Sequence, residues 1–323
     1  MVTAAEAPTD RGPERPRTAF VFSGGASLGA LQVGMLEALY ERGIVPDVLV
    51  ATSVGAFNAA FVASRAQTVA TTRALARVWR ELQREDVFPV SLSALVGGLC
   101  GRRDHLVPDH GLRRLITRYL EFDDLAEAPI PLHLIAFDLA EGREVLVSRG
   151  AALESVIAAA SIPGVFPPVR IGDLRLVDGG VVNNSPISRA VELGAERIYV
   201  LPTGEPSNRR LDSAPKTALD AAIHAVQLLV DSRLEADIAR YAPAVELVVL
   251  AAPNASGVQP TSFEHSDRLM QDARLAARAT LAPTTRQHQT QGASHVPLPL
   301  MDAHRHRSGV PRRRHGLVLV ASD

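Results

Sequence analysis

Along the first third of the chain the spacing of hydrophobic positions changes twice. Residues 18–22 (TAFVF) form an unbroken apolar, β-rich run that stops at Ser23-Gly24-Gly25, the mark of a strand buried on both faces. From 29 to 42 the apolar residues Leu31, Met35, Leu36, Leu39 and Tyr40 recur at helical spacing, and Gly43 closes the segment as a C-cap. Residues 44–50 return to a short apolar run, completing a β–loop–α–β unit of parallel type. The pattern then predicts one helix over 61–84, with Val62, Leu75, Val78, Trp79 and Leu82 on one side, and a short amphipathic helix over 111–120. Strands are expected at 130–138, 144–148 and 173–177, and a small-residue helix at 151–161 that breaks at Ile162-Pro163-Gly164. Pro167-Pro168 confines residues 165–169 to a loop or a sheet edge. A helix at 187–193, a strand at 197–201, a polar loop at 202–215, a long helix at 217–241, a last strand at 244–250 and an amphipathic helix at 262–281 follow. Strands alternating with helices predict an α/β fold, a largely parallel central sheet flanked by helices, in one domain over residues 18–282.

The ends change character. Residues 1–17 are polar and Pro-bearing and read as a disordered leader; residues 283–323, rich in Gln, His, Arg and Pro and containing Arg312-Arg313-Arg314, read as a disordered basic tail. The leader has no apolar h-region, and no apolar run reaches the length of a membrane-spanning helix. The expected setting is cytoplasmic, with peripheral membrane contact left open. A chain of 323 residues is long enough for a sizeable core, and a net charge of −1 gives no reason to expect a nucleic-acid partner. Cys100 is the only cysteine, so neither an intrachain disulfide nor a cysteine-based zinc site is available. Residues 87–109, with an apolar centre at 92–99, read as a mobile cap, a membrane-contacting surface or an ordinarily packed short helix.

Two stretches concentrate candidate chemistry. The first is DVLVATSVGAFN, residues 47–58, where an apolar run meets Ser53 between small residues and a helix-compatible segment follows. That is the pattern of a nucleophile elbow, with Ser53 at the apex and Ala51 and Gly55 small enough for a sharp turn. The plainer reading makes Ser53 a helix N-cap. Upstream, the loop SGGASLGALQVG (residues 23–34) lacks the Lys-Ser/Thr of a P-loop and the glycine spacing of a dinucleotide fingerprint. What remains is a turn of small residues at a helix N-terminus, an anion site that would serve as an oxyanion hole beside a nucleophile. The second stretch is LVDGGVVNNSPI, where Asp178 stands at a strand end followed by Gly179 and Gly180. Histidines 105, 110, 133, 224 and 265 follow Ser53 in the chain, but none sits in a comparable small-residue turn.

SGGASLGA (23–30), ATSVGA (51–56) and VDGGVVNNSP (177–186), in this order and with ASIPGVFPPV (160–169) between, resemble the patatin-like phospholipase family. The resemblance runs over most of residues 18–201. It implies a three-layer, modified α/β-hydrolase-like sandwich and a Ser–Asp dyad without histidine. Ser53 would be the nucleophile and Asp178 the general base, with the backbone N–H groups of Gly24, Gly25 and Ala26 as the oxyanion hole. It also implies a lipid ester substrate and no metal or cofactor; the oligomeric state stays open. Two departures stand out: the family loop commonly reads G-G-G-x-R/K-G, whereas here the third glycine is Ala26 and the basic position is Leu28, and the first glycine of the elbow is Ala51. The alternatives are a thioesterase or acyltransferase using the same dyad, and a catalytically impaired lipid-binding protein of the same fold.

Overall fold

The computed structural model describes residues 15–89, 104–204, 218–255 and 258–282. The expectations for residues 1–14, 92–99 and 283–323 lie outside them, as does most of the 202–215 loop. The strands are β1 (Thr18–Phe22), β2 (Val48–Thr52), β3 (Leu132–Asp138), β4 (Arg143–Val147), β5 (Val169–Ile171), β6 (Leu174–Asp178), β7 (Arg197–Leu201) and β8 (Glu246–Val249), joined in one sheet. β1 pairs in parallel with β2 and β7, β2 with β3, and β7 with β8; β4 and β6 run antiparallel to β3, and β5 antiparallel to β6. The sheet is therefore mostly parallel, as the alternating pattern predicts.

The pairing around β3 positions the site. β2 lies along Leu132–Ile135, and β4 occupies the other edge of β3 from Leu134 to Asp138. β6 pairs with Ala136 and Asp138, whose other edge is already taken by β4, so it continues the edge used by β2. Thr52 faces Ile135 and Asp178 faces the next residue, Ala136. Two strands running in opposite directions thus meet end to end on one neighbour.

Strand alternation sorts the side chains into two cores. Ala19, Val21, Val48, Val50, Ile198 and Val200 point to one face, where Ile187 and Ala190 of α7 (Ile187–Glu192) and Leu234 of α8 (Ala218–Tyr241) cover them. Phe20, Phe22, Leu49, Ala51, Tyr199 and Leu201 point to the other. That face is covered by α1 (Ala30–Glu41), α2 (Val54–Ala63), α3 (Val69–Glu81), α5 (His110–Tyr119), α6 (Ala152–Ala160) and α9 (Ser266–Thr280); α4 (Arg84–Val87) is a single turn packed on α5. Helices on both faces make three layers. α1 is buried nearly all round because α9 closes over it, and Gly34 lets the backbone of α9 at Met270 pass directly against it.

One expected helix is two. The segment 61–84 contains the end of α2, a turn over 64–68 and α3. The last carbonyls of α2 are taken by side chains: the Arg65 guanidinium donates to the Phe61 carbonyl at 2.7 Å and the Gln67 amide to that of Val62 at 2.7 Å. Neither glycine nor proline marks this break. The second strand also begins later than expected, at Val48; Pro46 has no N–H for the ladder, and the Asp47 carboxylate accepts the Thr18 N–H at 2.8 Å.

Candidate active site

Ser53 stands between the last residue of β2 and the first of α2, with φ 56° and ψ −130°. For a residue with a Cβ this conformation costs about 1–3 kcal/mol and persists only where the surroundings enforce it. Here the Ser53 N–H donates to the Ala159 carbonyl at 2.9 Å, and the Ser53 carbonyl accepts from Ala56 at 2.8 Å. Gly55 is required by its neighbour: a Cβ there would lie 2.7 Å from the Phe22 carbonyl oxygen. Ala51, by contrast, is an ordinary strand residue whose methyl packs in the core, so the first glycine of the elbow is not needed in this backbone. The Ser53 hydroxyl caps no α2 N–H, which disfavours the N-cap reading. The N-terminus of α2 and its positive dipole end face the serine.

Asp178, the last residue of β6, is buried, and its N–H donates to the Ser161 carbonyl at 2.9 Å. The end of α6 and the residue after it therefore hold both Ser53 and Asp178 by main-chain bonds. The Asp178 carboxylate accepts the Gly180 N–H at 2.7 Å and stands close enough to the Ser53 hydroxyl for that donor to favour its charge. Burial raises its pKa from 3.8 to about 6, against the lowering effect of those two donors. Gly179 is pressed on β3: an added Cβ would lie 2.6 Å from the Ile135 carbonyl oxygen. Gly180 lies under Asn184, with room for a Cβ only 3.0 Å from the Asn184 amide oxygen.

The glycine-rich loop lies against the serine, since a Cβ on Gly24 would be 2.8 Å from that of Ser53. Of its three expected donors, Gly24 is engaged elsewhere, its N–H donating to the Asn184 carbonyl at 3.1 Å. The N–H groups of Gly25 and Ala26 have no acceptor among the described residues. Ala26 has φ 50°, the left-handed region in which glycine is free and alanine strained by about 1–2 kcal/mol. Leu28 is buried in the core, so no cation takes the family's basic position.

The loop is fixed by a buried polar chain that shows only faintly in the sequence, as Asn58 and Gln32 standing inside apolar helices. The Trp79 indole N–H donates to Asn58 Oδ1 at 2.9 Å; Asn58 Nδ2 donates to the Gly29 carbonyl at 3.0 Å and Gln32 Oε1 at 2.9 Å. Gln32 Nε2 then donates to the carbonyls of Ser23 at 2.7 Å and Leu201 at 3.0 Å. Asn183–Ser185 stitch the two motif regions together: Ser185 Oγ is 2.6 Å from Ser23 Oγ, Asn184 Nδ2 donates to the Gly24 carbonyl at 3.3 Å, and Thr52 Oγ1 donates to that of Asn183 at 2.9 Å. Thr203 closes the loop from β7 with a hydroxyl bond to Gly24.

Among the described residues no histidine bonds to Ser53 or Asp178. His133 lies near the start of β3 with Nδ1 2.7 Å from Ser148 Oγ, its pKa lowered to about 4 by burial and by Arg17; His105 pairs with Asp104 at 2.9 Å. No group of three or more metal-binding side chains occurs among the described residues, and no helix among them is long and apolar enough to cross a membrane.

The model of the patatin-like phospholipase family matches residues 20–191, more than half of the chain. This protein belongs to that family. An uncharacterized NTE family protein of Mycobacterium tuberculosis is 27% identical over 277 residues, covering 81% of this chain and 46% of that protein. Patatin-like phospholipase domain-containing protein 7 of Mus musculus is 28% identical over 189 residues, covering 58% of this chain and 13% of its own length. The chain thus spans less than half the length of these relatives. Among solved structures, VipD from Legionella pneumophila aligns with a TM-score of 0.45 and 11% identity, covering 82% of this chain and 66% of VipD.

Proposed function

We infer that this patatin-like protein is a serine acyl hydrolase that cleaves lipid acyl esters through a Ser53–Asp178 dyad. The observation that carries the reading is the strained Ser53, its hydroxyl beside a buried carboxylate whose pKa is raised to about 6. A base of that pKa is ionised at neutral pH yet basic enough to take a proton in the transition state. Ser53 Oγ attacks the ester carbonyl carbon as Asp178 accepts the hydroxyl proton, and the carbonyl oxygen becomes an oxyanion. The Gly25 and Ala26 N–H groups stabilise it; one such donor is worth on the order of 3 kcal/mol. The tetrahedral intermediate collapses, the alcohol leaves with the proton from Asp178, and the acyl group stays on Ser53. Water then adds to the acyl-enzyme, giving its proton to Asp178, which returns it to Ser53 as the fatty acid departs. No histidine relay is needed in this scheme, because the proton shuttles between two neighbouring groups.

The test is steady-state hydrolysis of a lysophospholipid and of a monoacylglycerol by wild type, Ser53→Ala and Asp178→Asn. Both variants are expected to lose at least about 10³-fold in kcat with folding intact. Turnover by Ser53→Ala within a few-fold of wild type would remove the reading.

A further inference from the structure

Ser53 and Ala26 help to line an apolar cavity of about 60 Å³. Trp79, Phe57, Leu82, Phe263, Phe88 and Phe166 are among its lining residues. Those two rings stack with centroids 5.5 Å apart and planes 20° from parallel, and both are buried. Their backbones are fixed locally: the Phe88 N–H donates to the Arg84 carbonyl at 2.7 Å and the Phe166 N–H to that of Ile162 at 3.0 Å.

The space is small. A cavity of about 150 Å³ takes one benzene molecule, so one of 60 Å³ has room for about two or three carbons. Across Leu82 and Phe263 lies a larger groove, about 960 Å³, lined by Arg80, Gln83, Arg84, Glu264, His265 and Asp267. A long acyl chain entering it would leave apolar surroundings for charged ones, at a cost that grows with every methylene. The groove suits the alcohol part of an ester; the cavity suits the start of an acyl chain.

We propose that the stacked Phe88–Phe166 pair ends the acyl cavity a few carbons from Ser53 and makes this protein select esters of short acyl chains over long ones. The inference rests on the hydrolase reading above and narrows its substrate to acetyl-to-butyryl esters, with Phe88 and Phe166 as the residues that set the length.

The experiment measures kcat/KM on p-nitrophenyl acetate, butyrate, octanoate and dodecanoate, below their aggregation concentrations. Wild type is compared with Phe166→Ala, the milder Phe166→Leu and Phe88→Leu, and a narrowing variant, Ala160→Val, each checked by thermal melting. Wild type is expected to peak at acetate or butyrate and fall at least about tenfold by octanoate, the scale of discrimination that an apolar pocket gives over a few methylenes. Phe166→Leu and Phe88→Leu are expected to raise the octanoate-to-butyrate ratio at least about fivefold, and Ala160→Val to raise acetate over butyrate. The leucine and valine variants keep the test alive if Phe166→Ala does not fold. A wild-type profile that climbs to dodecanoate, or variant profiles that overlay that of wild type, overturns the proposal while leaving the hydrolase reading intact. No turnover of any ester by folded wild type overturns both.

Discussion

Asp178 bears its charge in a buried place where the two groups that favour it, the nearby Ser53 hydroxyl and the Gly180 N–H, are both neutral. Burial outweighs them and raises its pKa to about 6 from 3.8. The folded state therefore binds this proton more tightly than the unfolded chain. Its contribution to stability is full below pH 4 and is lost as the pH rises through about 6, opposite in sign to the usual paired carboxylate. A rise of that size is equivalent to about 3 kcal/mol between the protonated and ionised forms. Asp178→Asn keeps the shape of the protonated acid and an acceptor for Gly180 without the charge. It is expected to match wild type in unfolding free energy at pH 4 and to exceed it by up to about 3 kcal/mol at pH 8, read by parallel denaturant titrations. Other carboxylates, such as Glu41 and Asp104, have lowered pKa values and cancel in the difference. Parallel stability–pH curves for the two proteins would contradict the buried ionised base. Ser53 adds strain to the same site, so both candidate catalytic residues lower stability where the chemistry is proposed.

At the scale of elements, the Trp79–Asn58–Gln32 chain ties α3, α2 and α1 to the loop after β1. All three side chains are buried, so each unmade bond is expensive. Asn58→Leu would leave the Trp79 indole N–H and Gln32 Oε1 without this partner and take a side-chain donor from the Gly29 carbonyl. The expected result is a loss of about 3 kcal/mol in denaturant unfolding and a kcat lowered about tenfold or more with little change in KM, since the loop would no longer hold its donors in place. A variant equally destabilised but kinetically normal would assign the chain to stability alone. This scale also separates what the sequence shows from what it hides. β1 and β7 coincide with their expected ranges because unbroken apolar runs flanked by glycine and polar residues leave no other reading. The break between α2 and α3 was hidden, because α2 is apolar on every side and its end is capped by Arg65 and Gln67 through bonds that no local signal announces. Ser53 and Asp178 were legible as small-residue turns at strand ends. The engagement of Gly24 by Asn184 was not, since it depends on a contact across 160 positions of chain.

At the scale of the molecule, β3 brings two distant strand ends together. β2 arrives parallel to it and stops at Thr52, and β6 arrives antiparallel on the same edge and stops at Asp178, one residue further along. α6 crosses behind and holds both through Ala159 and Ser161. The residue order of the motifs, loop then serine then aspartate, is thereby turned into a single cluster where the ends of β2 and β6 meet. The central claim is that Ser53 is a nucleophile activated by Asp178, and its most direct test is covalent labelling by a fluorophosphonate probe, with peptide mapping, as a function of pH. Label on Ser53 is expected at a rate that rises through an apparent pKa of about 6, and Asp178→Asn is expected to slow it by at least about 10²-fold across the range. Folded wild type that takes no label on Ser53, or takes it at a rate unchanged in Asp178→Asn, would contradict the account.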